Sequence, residues 1–317
     1  MKVAVTGGTG FIGKYLVNEL LNNGYEVRVI ARRDVHMDGV EVVRADITDF
    51  HALAKAFKGA DAVFHNAALA SDRGRRKDFE RVNVGGTENV ARACMENGIE
   101  RIIYTSTAGI YGFPNTEEWI DEEWEENPLN DYHKSKLMGE KVLLGYDDII
   151  TSIIRPPLVL GAGGNAARVI LSGIEEGSMV YVGDGSNYIP IVHPSDVAQC
   201  LRLALERDGR GEIFNVVSFV CRIGEMFREI ATQLGVEPPR KHVPYALAYL
   251  IAFFSEKFSR DGITRFRVKS LGTTRRISWE KAEKMLGYKP RYDLKKTVED
   301  MVSWYMEERN SSSKSSR

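Results

Sequence analysis

Five consecutive residues, Tyr132-His133-Lys134-Ser135-Lys136, set a phenol and an ammonium four positions apart. On a helix, positions i and i+4 share a face. A positive charge beside a phenol stabilises phenolate, so the spacing predicts a Tyr132 pKa lowered from ~10 toward neutrality. Such a tyrosine can pass a proton to or from a hydroxyl or carbonyl while hydride moves to or from a nicotinamide. The spacing alone is a weak signal, because a packed tyrosine and a solvated lysine would show it too. Thr105-Ser106-Thr107-Ala108-Gly109 strengthens it. Hydroxyls at the carboxyl end of a strand lie where open α/β sheets bind ligands, and Thr107 or Ser106 can orient a substrate oxygen there. The bland alternative is a turn that caps its own backbone.

A second group of residues suits phosphate. Lys2–Thr6 reads as a strand and runs straight into Gly7-Gly8-Thr9-Gly10-Phe11-Ile12-Gly13. Missing side chains at Gly7, Gly10 and Gly13 allow a tight turn, close approach of a pyrophosphate and close helix–strand packing. Phosphates would then sit on the positive end of the following helix, beside Thr9, Phe11 and Ile12. The second strand ends at Ile30-Ala31-Arg32-Arg33, where an NAD site usually carries an acid. Arg32 can pair with the 2′-phosphate of NADP, so NADP is expected in preference to NAD. Asp46, followed by Ile47, is placed to accept from the adenine amino group, and a helix N-cap is its competing role.

The elements that position these residues follow from periodicity. Short apolar runs at Lys2–Thr6, Glu26–Ala31, Val40–Ala45, Asp61–His65, Arg101–Ser106, Thr151–Ile154 and Glu212–Val217 read as strands. Helical spacing covers Phe11–Asn23, Val82–Asn97 and Tyr132–Leu144, the first two closed by Gly24 and Gly98. Strand–helix alternation needs crossovers, so a doubly wound, Rossmann-type parallel sheet covered on both faces is expected. The late strand implies interleaving. Residues 1–160 and 190–218 would form the dinucleotide-binding domain, 161–189 and 219–309 a smaller substrate lobe, and 310–317 a disordered tail.

The 317 residues carry 43 Lys+Arg against 44 Asp+Glu, a balance that argues against a nucleic-acid partner. Three scattered cysteines and no basic-then-apolar leader point to a cytoplasmic protein with inert thiols and no metal site. The longest apolar run, Tyr245–Phe254, is half the length of a membrane span. It reads first as a core helix of the lobe, with a membrane-surface helix as another reading.

Taken together, TGGTGFIG at 6–13, HNAA at 65–68, NVGGTENV at 83–90, TSTAG at 105–109, YHKSK at 132–136, RPPLVLG at 155–161 and IVHPSDVA at 191–198 span nearly the whole chain. The sequence resembles an extended short-chain dehydrogenase/reductase. The resemblance implies Thr107, Tyr132 and Lys136 as the catalytic set, with threonine where the family more often has serine. It also implies that Lys136 contacts the nicotinamide ribose, that Ala67 and Ala68 pass beneath the cofactor, and that Pro156 lies near the carboxamide. A homodimer through the helices at about 83–97 and 132–144 is a further implication.

Many extended members act on nucleotide sugars and carry Asn three residues after the strand arginine, and Arg four residues before the motif histidine. Counting from Arg155 and His193 gives Leu158 and Ile189 instead. The C-terminal pattern, with Val243-Pro244-Tyr245 and Leu286-Gly287-Tyr288-Lys289-Pro290, is similar to the branch holding 3β-hydroxysteroid dehydrogenases and dihydroflavonol reductases. The expected reaction is therefore oxidation or reduction at a secondary alcohol or ketone of a relatively apolar small molecule. A nucleotide-sugar epimerase or dehydratase with tightly held NAD is the alternative, and a non-catalytic NADP-binding regulator the third. Arg275-Arg276 is either a phosphate site or a solvated pair. His193 reads as a strand-end residue, and Arg73–Lys77 as a mobile loop.

Overall fold

The computed structural model describes residues 1–207, 211–258 and 263–315. Seven strands make the central sheet: β1 (Lys2–Thr6), β2 (Glu26–Ala31), β3 (Glu41–Arg44), β4 (Ala62–His65), β5 (Arg101–Thr105), β6 (Ile150–Arg155) and β7 (Glu212–Asn215). All pair in parallel, in the order β3-β2-β1-β4-β5-β6-β7. The chain winds outward from β1 in both directions, so β1 and β4 flank the switch point where α/β sheets bind ligands. This is the Rossmann-type sheet expected from the alternation.

Alternate residues of β1 enter different cores, as strand pleating requires. Val3 and Val5 pack with α1 (Phe11–Asn22) and α7 (Pro194–Glu206) through Leu16, Leu20 and Leu201. Ala4 faces α2 (Phe50–Ala56), α4 (Gly85–Glu96) and α5 (Asp131–Leu144) through Leu53, Val90 and Leu143. Burial on both faces explains why the strands read as nearly continuous apolar runs.

The smaller lobe is built on three short strands, Leu158–Val159, Tyr188–Val192 and Phe219–Arg222. α6 (Asn165–Glu175), α8 (Ile223–Leu234) and α12 (Leu294–Ser315) close its core around Phe227, Ile230 and Met301. Two expected boundaries shift. Tyr188–Val192 pairs with Phe219–Arg222 inside the lobe, so the chain returns to the larger domain at α7. α11 (Glu280–Leu286) and the turn after it put Ala282, Leu286 and Tyr288 into the first core, outside the lobe assigned to 219–309. The segment expected as a disordered tail continues α12 as far as Ser315, because each residue added to a packed helix costs little once the nucleus exists. Residues 316–317 lie outside the described residues.

Two further expectations change. The helix expected over 82–97 begins earlier, as α3 (Arg76–Phe79) and a π turn at Glu80–Val84. The basic cluster read as a mobile loop is partly this helix, with Arg75 on Asp78 and Arg76 on Glu80 at 2.7 Å each. The apolar run at 245–254 lies in α9 (Tyr245–Phe258), which is not a core helix. Only its Ala248 and Ala252 side pairs with Val268 of α10 (Arg265–Gly272) and with Val182. Leu247, Leu250, Ile251, Phe254 and Phe258 are exposed. Apolar composition identified the helix but not which face would find a partner. No helix of the described residues is long and apolar enough to cross a membrane.

Candidate active site

The turn after β1 is built for close approach. Gly7 has φ +71°, and Gly10 N–H donates to its carbonyl at 2.9 Å. A Cβ on Gly7 would stand 2.7 Å from the Ala67 nitrogen, and one on Gly13 would stand 2.0 Å from the Gly7 carbonyl oxygen. Gly10 caps α1 with no side-chain bond, which leaves the helix's first N–H groups for a ligand. These features fit a dinucleotide pyrophosphate.

One cavity of about 620 Å³ runs from this turn into the small lobe. Gly7, Thr9, Gly10, Phe11, Ile12, Arg32, Asp46, Ile47, Ala67, Ala68 and Pro156 line it, as do Thr107, Tyr132 and Lys136. Gly13 does not; its role is to let α1 close on the turn.

At the β2 end, Asp46 Oδ1 accepts from Thr48 N at 2.9 Å and from Thr48 Oγ1 at 2.8 Å. Burial raises this carboxyl, but the Thr48 bonds, with Arg32 and Arg81 nearby, outweigh it and hold the pKa below its usual value. The N-cap of α2 is Asp49, accepting from Ala52 N, so Asp46 is released from the capping role. Arg81 was invisible from sequence. The π turn carries it into the lining, and π turns concentrate at functional sites. That turn is held by buried Asn83, which accepts from Leu69 N at 2.7 Å and donates to Ser135 Oγ at 2.8 Å.

At the α5 end of the cavity, Asn130 caps the helix and starts it just before Tyr132. Lys136, 2% exposed, sets its ammonium 3.9 Å from the centre of the Tyr104 ring. Burial pushes Lys136 down to about 7, partly opposed by Glu140 one turn on. Burial also pushes the Tyr132 phenol up, to about 12. The expected lowering of Tyr132 is therefore reversed. Helical spacing supplied the neighbour, but Lys136 is buried and Tyr132 half-buried, and the loss of water penalises each charged form.

Ser106 and Thr107 separate by their partners. Ser106 Oγ donates to Glu140 Oε1 in a very short bond, while Thr107 Oγ1 accepts from Gly109 N at 3.0 Å at the cavity wall. The same buried Glu140 receives Arg155 Nη2 at 2.6 Å and Nε at 3.1 Å. Arg155 also donates to Tyr111 Oη at 3.0 Å. Burial would lower the Arg155 pKa, and Glu140 more than reverses this. Glu140 is thus the hidden support of the β5 and β6 ends.

The end of the cavity toward the small lobe is aromatic. Phe113, Phe266 and His133 touch one another, with ring centres 5.2–5.8 Å apart. Asp72, after β4, holds α10 over the cavity by accepting from Thr264 Oγ1 at 3.1 Å and Arg267 Nε at 2.8 Å. Leu158 lines the cavity, whereas Ile189 lies in the lobe core. His193 caps α7, stacks on Tyr292 and bonds Asp300 at 3.1 Å, away from the lining. The two C-terminal arginines part company: Arg275 is buried in the lining, and Arg276 pairs with Glu117 at 2.9 Å.

The fold and this cavity define a dinucleotide-binding enzyme of the Rossmann type. By its match over residues 3–217, the chain belongs to the NAD dependent epimerase/dehydratase family. It is 31% identical to 2-alkyl-3-oxoalkanoate reductase of Stenotrophomonas maltophilia, over 93% of this chain and 96% of that protein. It is 28% identical to the decarboxylating sterol-4-alpha-carboxylate 3-dehydrogenase of Mus musculus, over 95% and 90%. Among solved structures, gox2253 shares 28% identity with a TM-score of 0.83, covering 96% of this chain and 98% of that one. MoeE5, solved with UDP-glucose and NAD, shares the fold at 24% identity and a TM-score of 0.79, covering 97% and 99%. The resemblance to extended short-chain dehydrogenases is borne out, and the protein is an NAD-dependent oxidoreductase of that family.

Proposed function

We propose that this enzyme moves hydride at a secondary alcohol or ketone carbon of a relatively apolar substrate, with NADP as its preferred cofactor. The carrying observation is that Thr107, Tyr132 and Lys136 share one cavity with the phosphate turn, and that its far end is walled by Phe113 and Phe266. A bound nicotinamide would supply or accept the hydride. Tyr132 passes the proton at its phenol oxygen, Thr107 orients the substrate oxygen, and Lys136 holds the ribose. Ser106 is committed to Glu140, which favours Thr107 as the orienting hydroxyl. The aromatic walls exclude water from the reacting carbon.

Two relatives support the apolar reading, since a 2-alkyl-3-oxoalkanoate and a sterol carboxylate are each an apolar body bearing one carboxylate. The nucleotide-sugar reading fits less well. Leu158 offers no hydrogen bond, and Ile189 is buried in the lobe core.

Arg32 and Arg81 at the β2 end support the NADP preference. Arg32→Ala is expected to weaken NADPH binding by roughly tenfold or more, the range of a charge-assisted hydrogen bond, and to leave NADH nearly unchanged. Fluorescence titration of both cofactors reads this directly. Tighter NADH binding by the unaltered protein would overturn the preference. A homodimer through α4 and α5 is also part of the proposal, because Met95, Met138 and Leu144 stand exposed on these helices. A monomer mass by equilibrium sedimentation would end that idea.

A further inference from the structure

Two buried arginines face opposite situations. Arg155 meets Glu140 with two nitrogens, the usual way a fold neutralises a buried guanidinium. Arg275 is 5% exposed and has no carboxylate within ion-pair distance among the described residues. Its Nη1 donates to the carbonyls of Lys269 and Thr273 at 3.2 Å each and, in a very short bond, to Thr273 Oγ1. Its Nη2 donates to the Ser270 carbonyl at 2.7 Å. These acceptors are dipoles and leave a full positive charge uncompensated. Isolated buried charge is strongly unfavourable, and burial accordingly pushes the Arg275 pKa down to about 9.

Arg275 is among the residues that line the cavity, and its guanidinium carbon stands 4.6 Å from the centre of the ring of Phe113, another lining residue. Phe113 contacts His133, and His133 contacts Tyr132. A continuous aromatic wall therefore joins Arg275 to the reacting phenol. Phe113, Pro114, Phe266 and Ile277 make most of the lining at this end apolar, with Ser270 and His133 beside them. The other cavity cations stand elsewhere, Lys136 at the reacting end and Arg32 and Arg81 by β2. Arg276 is engaged with Glu117 and the Tyr188 ring. A diphosphate calls for more than one such donor, whereas a single carboxylate matches one planar guanidinium.

We propose that Arg275 is a specificity-determining residue that binds a carboxylate on the substrate, making the substrate class a hydroxy or oxo acid with an apolar body. This rests on the hydride-transfer reading only in calling the bound acid a substrate. The test is therefore made by binding. Calorimetry of the full chain with decanoate, with methyl decanoate of nearly the same shape, and with UDP reads the site without turnover. Decanoate should bind at least tenfold more tightly than the ester. Arg275→Met should abolish that difference while NADPH binding stays within twofold. Arg275→Lys, which keeps the charge, should retain part of the difference and serves if the methionine variant fails to fold. Equal binding of acid and ester by the unaltered protein, or an undiminished preference in Arg275→Met, overturns the proposal. UDP binding that is tighter than decanoate binding and is lost in the same variant overturns it in favour of a nucleoside diphosphate. If decanoate binds through Arg275 but Tyr132→Phe retains hydride transfer, the proposed reaction falls and the anion site stands.

Discussion

Tyr132→Phe should lower turnover by about 10²–10⁴-fold, the usual contribution of a positioned acid or base, while NADPH still binds within about twofold. The expectation follows from where the side chain sits. Tyr132 is the second residue of α5, a helix capped by Asn130, and its ring is set against Phe79 and His133 at 6.5 and 5.4 Å between centres. Removing one oxygen leaves those contacts in place, so the variant should fold. The phosphate turn and the Asp46 end of the cavity are formed by other elements, so cofactor affinity should persist. What is lost is the only phenol of the proposed catalytic set, and neither Thr107 nor the Lys136 ammonium, seated over Tyr104, replaces it. Stopped-flow measurement of the hydride step separates chemistry from binding. A variant that keeps its turnover would sink the assigned role of Tyr132.

The sequence made the sheet legible because its strands are buried on both faces and so read as apolar runs. The glycines of the turn were legible because few other residues fit beneath Ala67 and the Gly7 carbonyl. Helices with a diluted apolar stripe were harder to see. α2 is seven residues long, and α7 opens with Pro-Ser-Asp and carries Gln199 and Arg202 among its apolar positions. Charge states were the least legible. Tyr-x-x-x-Lys spacing announces proximity, but the direction of both pKa shifts depends on how much water each group loses. Arg275 and Arg276 are adjacent and alike in sequence. Only the packing of Phe113 and Ser270 against one, and of Glu117 against the other, tells a buried cation from an ion-paired surface one. Glu140 sits on an ordinary charged helix pattern, and nothing in it announced that Arg155 and Ser106 converge there.

Glu140→Ala is expected to destabilise the protein by about 3–5 kcal/mol, the cost of breaking a buried ion pair from one side. The carboxylate takes three bonds in the interior, two from Arg155 and one from Ser106. Without it the Arg155 guanidinium keeps Tyr111, a longer ion pair with the half-exposed Glu126 at 3.4 Å and the Glu122 carbonyl at 3.5 Å. The loss should also reach the site, because Arg155 ends β6 just before Pro156 and Ser106 follows β5 just before Thr107. Denaturant unfolding would show the reduced midpoint. A paired substitution then separates uncompensated charge from lost packing. If the stranded guanidinium causes the damage, Glu140→Leu combined with Arg155→Met should be markedly more stable than Glu140→Leu alone, since removing both partners leaves no unpaired charge. If the double variant is as unstable as the single one, the network matters through its shape. The contrast with Arg275 would then lose its force too, because that contrast assumes this fold penalises a buried guanidinium that lacks an acid.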